Sequence, residues 1–257
     1  MSDKENFNGL FIDEPFAVFP ANVPFEELPL GDHTARYAFS KAYVIGRIVL
    51  DAGCGVGYGA DYLVQNGANF AVGLDISIKA IKIAKSRYKN ANIDFIVADC
   101  AKLPFKNGAF EVILSFEVIE HLLDHEKFLF EVVRCLKDVG VFISSTPNKL
   151  ISSPNGEKSL SKWHVKEFSP DELHQVLLKY FQRIFMSGER PRKLSINVMN
   201  GIARVTKKVK EKIPTRIKRI YIQKLDSERT NLKCRDYEIS QLRIDTAPTL
   251  VAVCLKY

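Results

Sequence analysis

Residues 49–63 read "VLDAGCGVGYGADYL", an apolar run closed by Asp51 and followed by glycines at alternate positions. Glycine has no Cβ and enters conformations barred to other residues. Gly53, Gly55 and Gly57 can therefore bring the main chain close to a bound molecule. A strand over 47–51 and a helix over 58–65 would flank this loop. In a parallel α/β sheet, ligands bind at such a turn, beyond the carboxyl ends of the strands. Two more acids follow the same logic. Asp75 closes a second apolar run, where a carboxylate can accept both ribose hydroxyls of an adenosine. Asp99, in "IVADC", closes a third, placed to accept adenine amino hydrogens while Cys100 offers its backbone N–H.

Outward from the loop, strands and helices alternate. Apolar spacing predicts a helix over 34–43 and strands over 69–74, 93–97, 111–115 and 141–144. Ser77 can cap a helix reaching Tyr88, with Ile78, Ile81, Ile83 and Ala84 facing inward. A helix over 126–136 would bury Phe128, Leu129, Val132, Val133 and Leu136. Ser169 and Pro170 open another, running to about Lys179. Segments 181–186 and 249–255 could complete the sheet. The pattern is that of an α/β sheet with helices on both faces. Residues 1–30, with four prolines and five phenylalanines, read as a non-helical arm lying on the core.

In order, "VLDAGCGVGYG", "GLDIS", "VADCAKLPF", "FEVILSFEVIEHL" and "VFISSTPN" resemble the motifs of class I S-adenosylmethionine-dependent methyltransferases over about residues 33–187. The resemblance implies a Rossmann-like, seven-stranded, mainly parallel sheet with an antiparallel last strand, to which 249–255 would correspond. It implies S-adenosyl-L-methionine as cofactor, held by Asp51, the three glycines, Asp75, Ile76, Asp99, Cys100, Ser115 and Phe116. A carboxylate at Asp51 also suits a cationic methionine end better than a pyrophosphate, and GxGxG brings the third glycine one residue early for a dinucleotide loop. "LKDVG" (136–140) departs from the family's usual proline–glycine turn and is expected to alter a loop.

Methyl transfer to a hydroxyl also needs a proton removed. Glu117, Glu120 and His121, in "SFEVIEHLLDH", can converge after the fourth strand. His121 is the candidate base because its ordinary pKa lies near working pH, with Glu120 orienting it or sharing the proton. His164, in "KWHVKEFSPDEL", would bind the acceptor or assist. These four residues also resemble the magnesium sites of small-RNA 2′-O-methyltransferases and, in the first three, of ubiquinone-pathway O-methyltransferases. The motif is short and His164 comes from a separate loop, so no metal is assigned.

"GDHTARYAFSKAYV" and "STPNK…WHVKEFSPDEL" resemble a bacterial and archaeal subgroup associated with surface-polysaccharide assembly. That subgroup would place Arg36 and Tyr37 in a cap meeting the methionine carboxylate or the acceptor. The expected organisation is a single methyltransferase domain: arm and cap 1–46, cofactor-binding core 47–187, basic helical insertion 188–248, last strand 249–257.

The insertion makes the chain basic. Residues 190–224 hold twelve Lys/Arg and one acid, in a protein of net charge +7. Ile196, Met199, Ile202, Val205 and Val209 form an apolar stripe opposite lysines, as in a helix that lies on an anionic membrane. Nucleic acid is the weaker fit, because Tyr221 is the only aromatic there. Five cysteines without metal-type pairing suit reduced thiols and a cytoplasmic location, with peripheral contact at the inner membrane face. The expected reaction is O-methylation of a sugar or glycan intermediate. The rivals are a quinone or small aromatic acceptor, and RNA bound through the insertion.

Overall fold

In the computed structural model, residues 31–153, 161, 163–191 and 237–257 are described. The N-terminal arm and the amphipathic stripe of the insertion lie outside them.

The first helix is α1 (Gly31–Val44), followed by β1 (Ile48–Ala52), α2 (Tyr58–Gln65), β2 (Phe70–Asp75), α3 (Ile78–Arg87) and β3 (Ile93–Val97). After β4 (Phe110–Phe116) come α4 (His125–Cys135), β5 (Leu136–Pro147), the short α5 (Lys149–Ser152) and α6 (Pro170–Leu178). The chain closes with β6 (Arg183–Pro191), β7 (Tyr237–Ser240) and β8 (Thr249–Leu255). Strand order is β3-β2-β1-β4-β5-β8-β6-β7. β1 through β5 pair in parallel, and β8 runs antiparallel between β5 and β6.

The sheet is Rossmann-like, as expected, but has eight strands rather than seven. The added strand is β7, antiparallel to β6 with Gly188↔Ser240 and Pro191↔Tyr237 as partners. Part of the segment 188–248 is therefore sheet, since β6 runs on to Pro191 and β7 covers its edge.

Alternation along each strand divides the core. Leu50, Leu74, Ile113 and Phe142 face α4 and α6, whose Phe128, Leu129, Leu173 and Leu177 are wholly buried. Val49, Val112, Leu114 and Ile143 face the other way, onto Tyr37 of α1 and Leu63 of α2. Local signals fix the helix starts. Ser77 accepts from the Ala80 N–H, and Ser169 with Glu172 forms a reciprocal capping box ahead of Pro170.

Two expectations need correction. Ile78 is exposed, because it opens α3 on the face turned from the sheet, while Ile81 and Ala84 are buried. "LKDVG" is not simply a loop: β5 already begins at Leu136, opposite Phe110, and the register slips before Val112↔Val141. Val139 takes a positive φ of 55° there, so the extra residues are absorbed as a bulge.

Four cysteines among the described residues, Cys54, Cys100, Cys135 and Cys254, are free buried thiols. Among the described residues no helix is long and apolar enough to cross a membrane.

Candidate active site

The chain leaves β1 toward β2 and β3, then returns to place β4 on the other side of β1. This reversal opens a crevice over the carboxyl ends of β1 and β4. Asp51, Asp75, Ser115 and Phe116 all lie at that edge.

Gly53, Gly55 and Gly57 have φ of 86°, 54° and 86°. Their roles differ. A Cβ on Gly53 would fall 2.3 Å from Val118 Cγ2, and one on Gly57 would meet Phe95 and Ala84 at 2.6–2.8 Å. Those two glycines admit the protein's own side chains. A Cβ on Gly55 would meet nothing within 4 Å, so Gly55 is the position where the loop borders open space. Asp75 holds the loop there: Oδ2 accepts from the Gly55 N–H at 2.9 Å and Oδ1 from the Ser77 N–H at 2.8 Å. Burial raises the Asp75 pKa, and these backbone donors oppose the rise. Asp99 Oδ1 accepts from the Ala101 N–H, and the neighbouring Cys100 thiol is pushed up by burial.

Asp51 is wholly buried, and the Tyr37 hydroxyl bonds both its oxygens at 3.0 Å. Burial pushes Asp51 to about 7; Tyr37 opposes this, and Asp75 adds to it. Tyr37 also packs edge-on against Phe116. The folded state holds the Asp51 proton up to about 7, whereas an unfolded chain releases it near ~4. This group's contribution is therefore fully present below ~4 and lost as pH rises to about 7. Asp51→Asn should flatten the pH dependence in that window. Urea midpoints at pH 5, 6, 7 and 8 would show it, with a wild-type slope from this group no steeper than ~1.4 kcal/mol per pH unit.

Arg36 lies in α1 and is also wholly buried. Its Nη1 donates to Glu189 Oε2 of β6 at 2.5 Å and lies 3.8 Å from Glu117 Oε1. Burial works against its charge, but Glu189, Glu117 and Asp32 more than offset that, so its pKa is raised. Arg36 Nε and Nη2 and Glu189 Oε1 remain buried with no hydrogen-bond partner. Ser115 Oγ shares that condition.

Past β4 the backbone turns sharply. Glu117 has φ 57°, its N–H reaches the Ser145 carbonyl, and Ser145 Oγ donates to Glu117 Oε1 at 2.7 Å. The following 3-10 turn, Ile119–His121, presents Glu120 and His121. Glu120 is wholly buried; Thr146 Oγ1 donates to its Oε2 at 2.9 Å, and its backbone carbonyl accepts from the Val165 and Lys166 N–H groups. Burial, followed by the nearby Glu117 charge, raises its pKa well above the carboxylate range. His121 Nδ1 lies 3.1 Å from the Trp163 carbonyl and Nε2 3.9 Å from Glu120 Oε1. His164 Nδ1 lies 2.7 Å from Glu167 Oε1, and Ser152 and Ser153 both donate to Glu167 Oε2.

The structure thus brings Glu120, His121 and His164 together, while Glu117 turns to Ser145 and Arg36. Sequence reasoning missed Thr146, Glu167 and Glu189. Glu167 carried a faint signal, three residues from His164. Glu189 carried none, being 153 residues from Arg36.

Residues 50–144, which span the glycine loop, Asp75, Asp99 and the Glu120–His121 turn, match the family model described as "Methyltransferase domain". Around these residues the chain has the Rossmann-like methyltransferase fold. S-adenosylmethionine is the cofactor of that domain type, and the cradle at Gly55 with Asp75 beside it fits a nucleoside-bearing group. The chain is 39% identical over 132 residues to a protein of Mycolicibacterium smegmatis named "Probable S-adenosylmethionine-dependent methyltransferase", covering 51% of this chain and 50% of that one. It is 33% identical over 139 residues to the phthiotriol/phenolphthiotriol dimycocerosates methyltransferase of Mycobacterium tuberculosis, covering 52% and 50%. The chain thus spans about half the length of the curated relatives it matches. The methyltransferase fold extends further. A Thermotoga maritima structure, described as a methyltransferase and possible histamine N-methyltransferase, superposes with a TM-score of 0.60 at 17% identity, over 91% of each chain.

Proposed function

We infer that the chain transfers a methyl group from S-adenosylmethionine to a hydroxyl of a sugar or glycan intermediate. The observation that carries this reading is the polar turn at the carboxyl edge, where Glu120 and His121 stand together with His164. When bound, the cofactor supplies a methyl group already activated on a sulfonium. Asp75 would hold the ribose hydroxyls, Asp99 and the Cys100 N–H the adenine, and the open space at Gly55 admits the chain of the nucleoside. Ser115 Oγ and Arg36, with buried polar atoms still unpartnered, would bind at the methionine end.

The remaining work is to align the acceptor, exclude water and take a proton. Alignment alone can supply ~7–11 kcal/mol. His121 is oriented by the Trp163 carbonyl and partly open, its side chain 28% exposed. It can meet an incoming hydroxyl with the buried Glu120 behind it. A wall of His121, His164 and Glu117 suits a polyhydroxylated acceptor better than a flat aromatic one. The relative named for a phthiotriol supports hydroxyl chemistry. The contact of 190–224 with an anionic membrane remains a proposal from the sequence, because those residues lie almost wholly outside the described structure.

Incubation with methyl-labelled S-adenosylmethionine and, separately, nucleotide sugars, lipid-linked glycans, free phenols and RNA tests the reading. Label is expected in a sugar-bearing fraction. Transfer confined to phenols or to RNA would overturn the acceptor assignment, and absence of S-adenosylhomocysteine binding would overturn the whole. Asp75→Asn keeps one acceptor oxygen but loses the charge. Its affinity for S-adenosylhomocysteine, measured by calorimetry, should fall roughly ten- to hundredfold, as for loss of a charged hydrogen bond.

A further inference from the structure

We propose that Glu167 is a positioning residue, holding His164 so that it anchors a second hydroxyl of the acceptor beside the one that His121 deprotonates. The substrate class is then a vicinal diol, and this assignment rests on the hydroxyl-directed reading above.

The Glu167 carboxylate is fixed on both sides. Its Oε1 lies 2.7 Å from His164 Nδ1, and its Oε2 accepts from the hydroxyls of Ser152 and Ser153 at 2.6 and 2.7 Å. The side chain is 4% exposed, so α5 and the histidine meet on a carboxylate shielded from water. The segment that carries His164 and Glu167 is itself pinned at two points. The Val165 and Lys166 N–H groups bond the Glu120 carbonyl, and Phe168 bridges to Asn148 just past β5.

A carboxylate bonded to Nδ1 places the imidazole proton on that nitrogen and the lone pair on Nε2. His121 is set the same way by a different group, because the Trp163 carbonyl 3.1 Å from its Nδ1 can only accept. The two rings meet edge to face with centroids 5.0 Å apart, and one nitrogen of each lies within 4.8 Å of the other. Two neighbouring lone pairs call for two O–H donors. A solitary alcohol has one, whereas hydroxyls on adjacent carbons of a sugar ring supply both. In the reaction the two hydroxyls part ways. One passes its proton to His121 as its oxygen bonds the methyl carbon, and the electrons of the broken C–S bond stay with sulfur. The other only donates to His164 and keeps its proton.

The test reads the imidazoles directly, in the full chain carrying isotopically labelled histidine and saturated with S-adenosylhomocysteine. Long-range proton–nitrogen NMR should show His164 as the Nδ1–H tautomer, its signals assigned by their loss in His164→Ala. The probe cis-1,2-cyclohexanediol should shift Nε2 of His121 and His164 together. It should bind about three- to tenfold more tightly than cyclohexanol, the yield of one further hydrogen bond. Glu167→Ala should release the tautomer and abolish that preference. Glu167→Gln, whose amide oxygen still accepts from Nδ1, should retain most of it. Unchanged calorimetric affinity for S-adenosylhomocysteine shows that both variants are folded. Equal affinity for the two alcohols, an Nε2–H tautomer at wild-type His164, or a preference that survives Glu167→Ala would overturn the assignment. Methyl label appearing in a sugar while the two alcohols bind alike would leave the transfer standing and remove the paired hydroxyls alone.

Discussion

His121→Ala is expected to lower kcat by ~10²–10⁴-fold while leaving the dissociation constant for S-adenosylhomocysteine within about twofold of wild type. The size follows from what the imidazole does in the proposed reaction, which is to take the acceptor's proton. The selectivity follows from position. His121 sits on the turn after β4, with contacts to Trp163, Glu120 and His164, whereas the loop at Gly55 is held by Asp75 on β2. The side chain is partly exposed, so its truncation leaves no sealed void. Single-turnover kinetics with saturating cofactor would read the effect directly. An unchanged rate would remove His121 from the chemistry.

Arg36→Met is expected to destabilise the fold by about 3–5 kcal/mol, the range for breaking one side of a buried ion pair. The cost lies less in the lost contact than in the stranded Glu189, which is 2% exposed and whose other oxygen already lacks a partner. Burial pushes the Glu189 pKa up, and Arg36 is the main opposing influence. Folded Glu189 holds its proton up to about 8 even beside Arg36, and without the guanidinium it holds it higher still. The charge-dependent part of the deficit should therefore be absent well below pH 8 and grow as pH rises through about 8, where the wild-type carboxyl ionises. The double variant Arg36→Met, Glu189→Gln should recover most of the loss, because no buried charge then remains. Urea denaturation at pH 6 and pH 9.5 would measure this. Equal destabilisation at both pH values would mean that packing, not charge, explains the residue.

What the sequence made legible was local. The helix Tyr58–Gln65 and the strands Ile93–Val97 and Thr249–Leu255 stand where periodicity placed them, and the Ser169–Pro170 start forms a full capping box. Each rests on signals within a few residues of one another. Glu120, His121 and His164 stand side by side as candidates, because a strand end and a following turn fix two of them. The remainder depended on partners distant in sequence. β7 is four residues long and is a strand because β6 offers it an edge. "LKDVG" reads as a turn, but Phe110 on the neighbouring strand draws Leu136 into the ladder. No spacing rule connects Arg36 to Glu189. The glycine run announced close approach, but not that Gly53 and Gly57 would yield to Val118 and Phe95 and leave Gly55 to face outward.

The pairing of Pro191 with Tyr237 has a topological consequence. The two residues that flank 192–236 are thus partners on one rung of the β6–β7 pair. Lengthening, shortening or exchanging that segment need not disturb the alignment of the strands beneath the cleft. Such modularity would let relatives of this scaffold acquire new acceptors or attachment surfaces while the catalytic platform stays fixed.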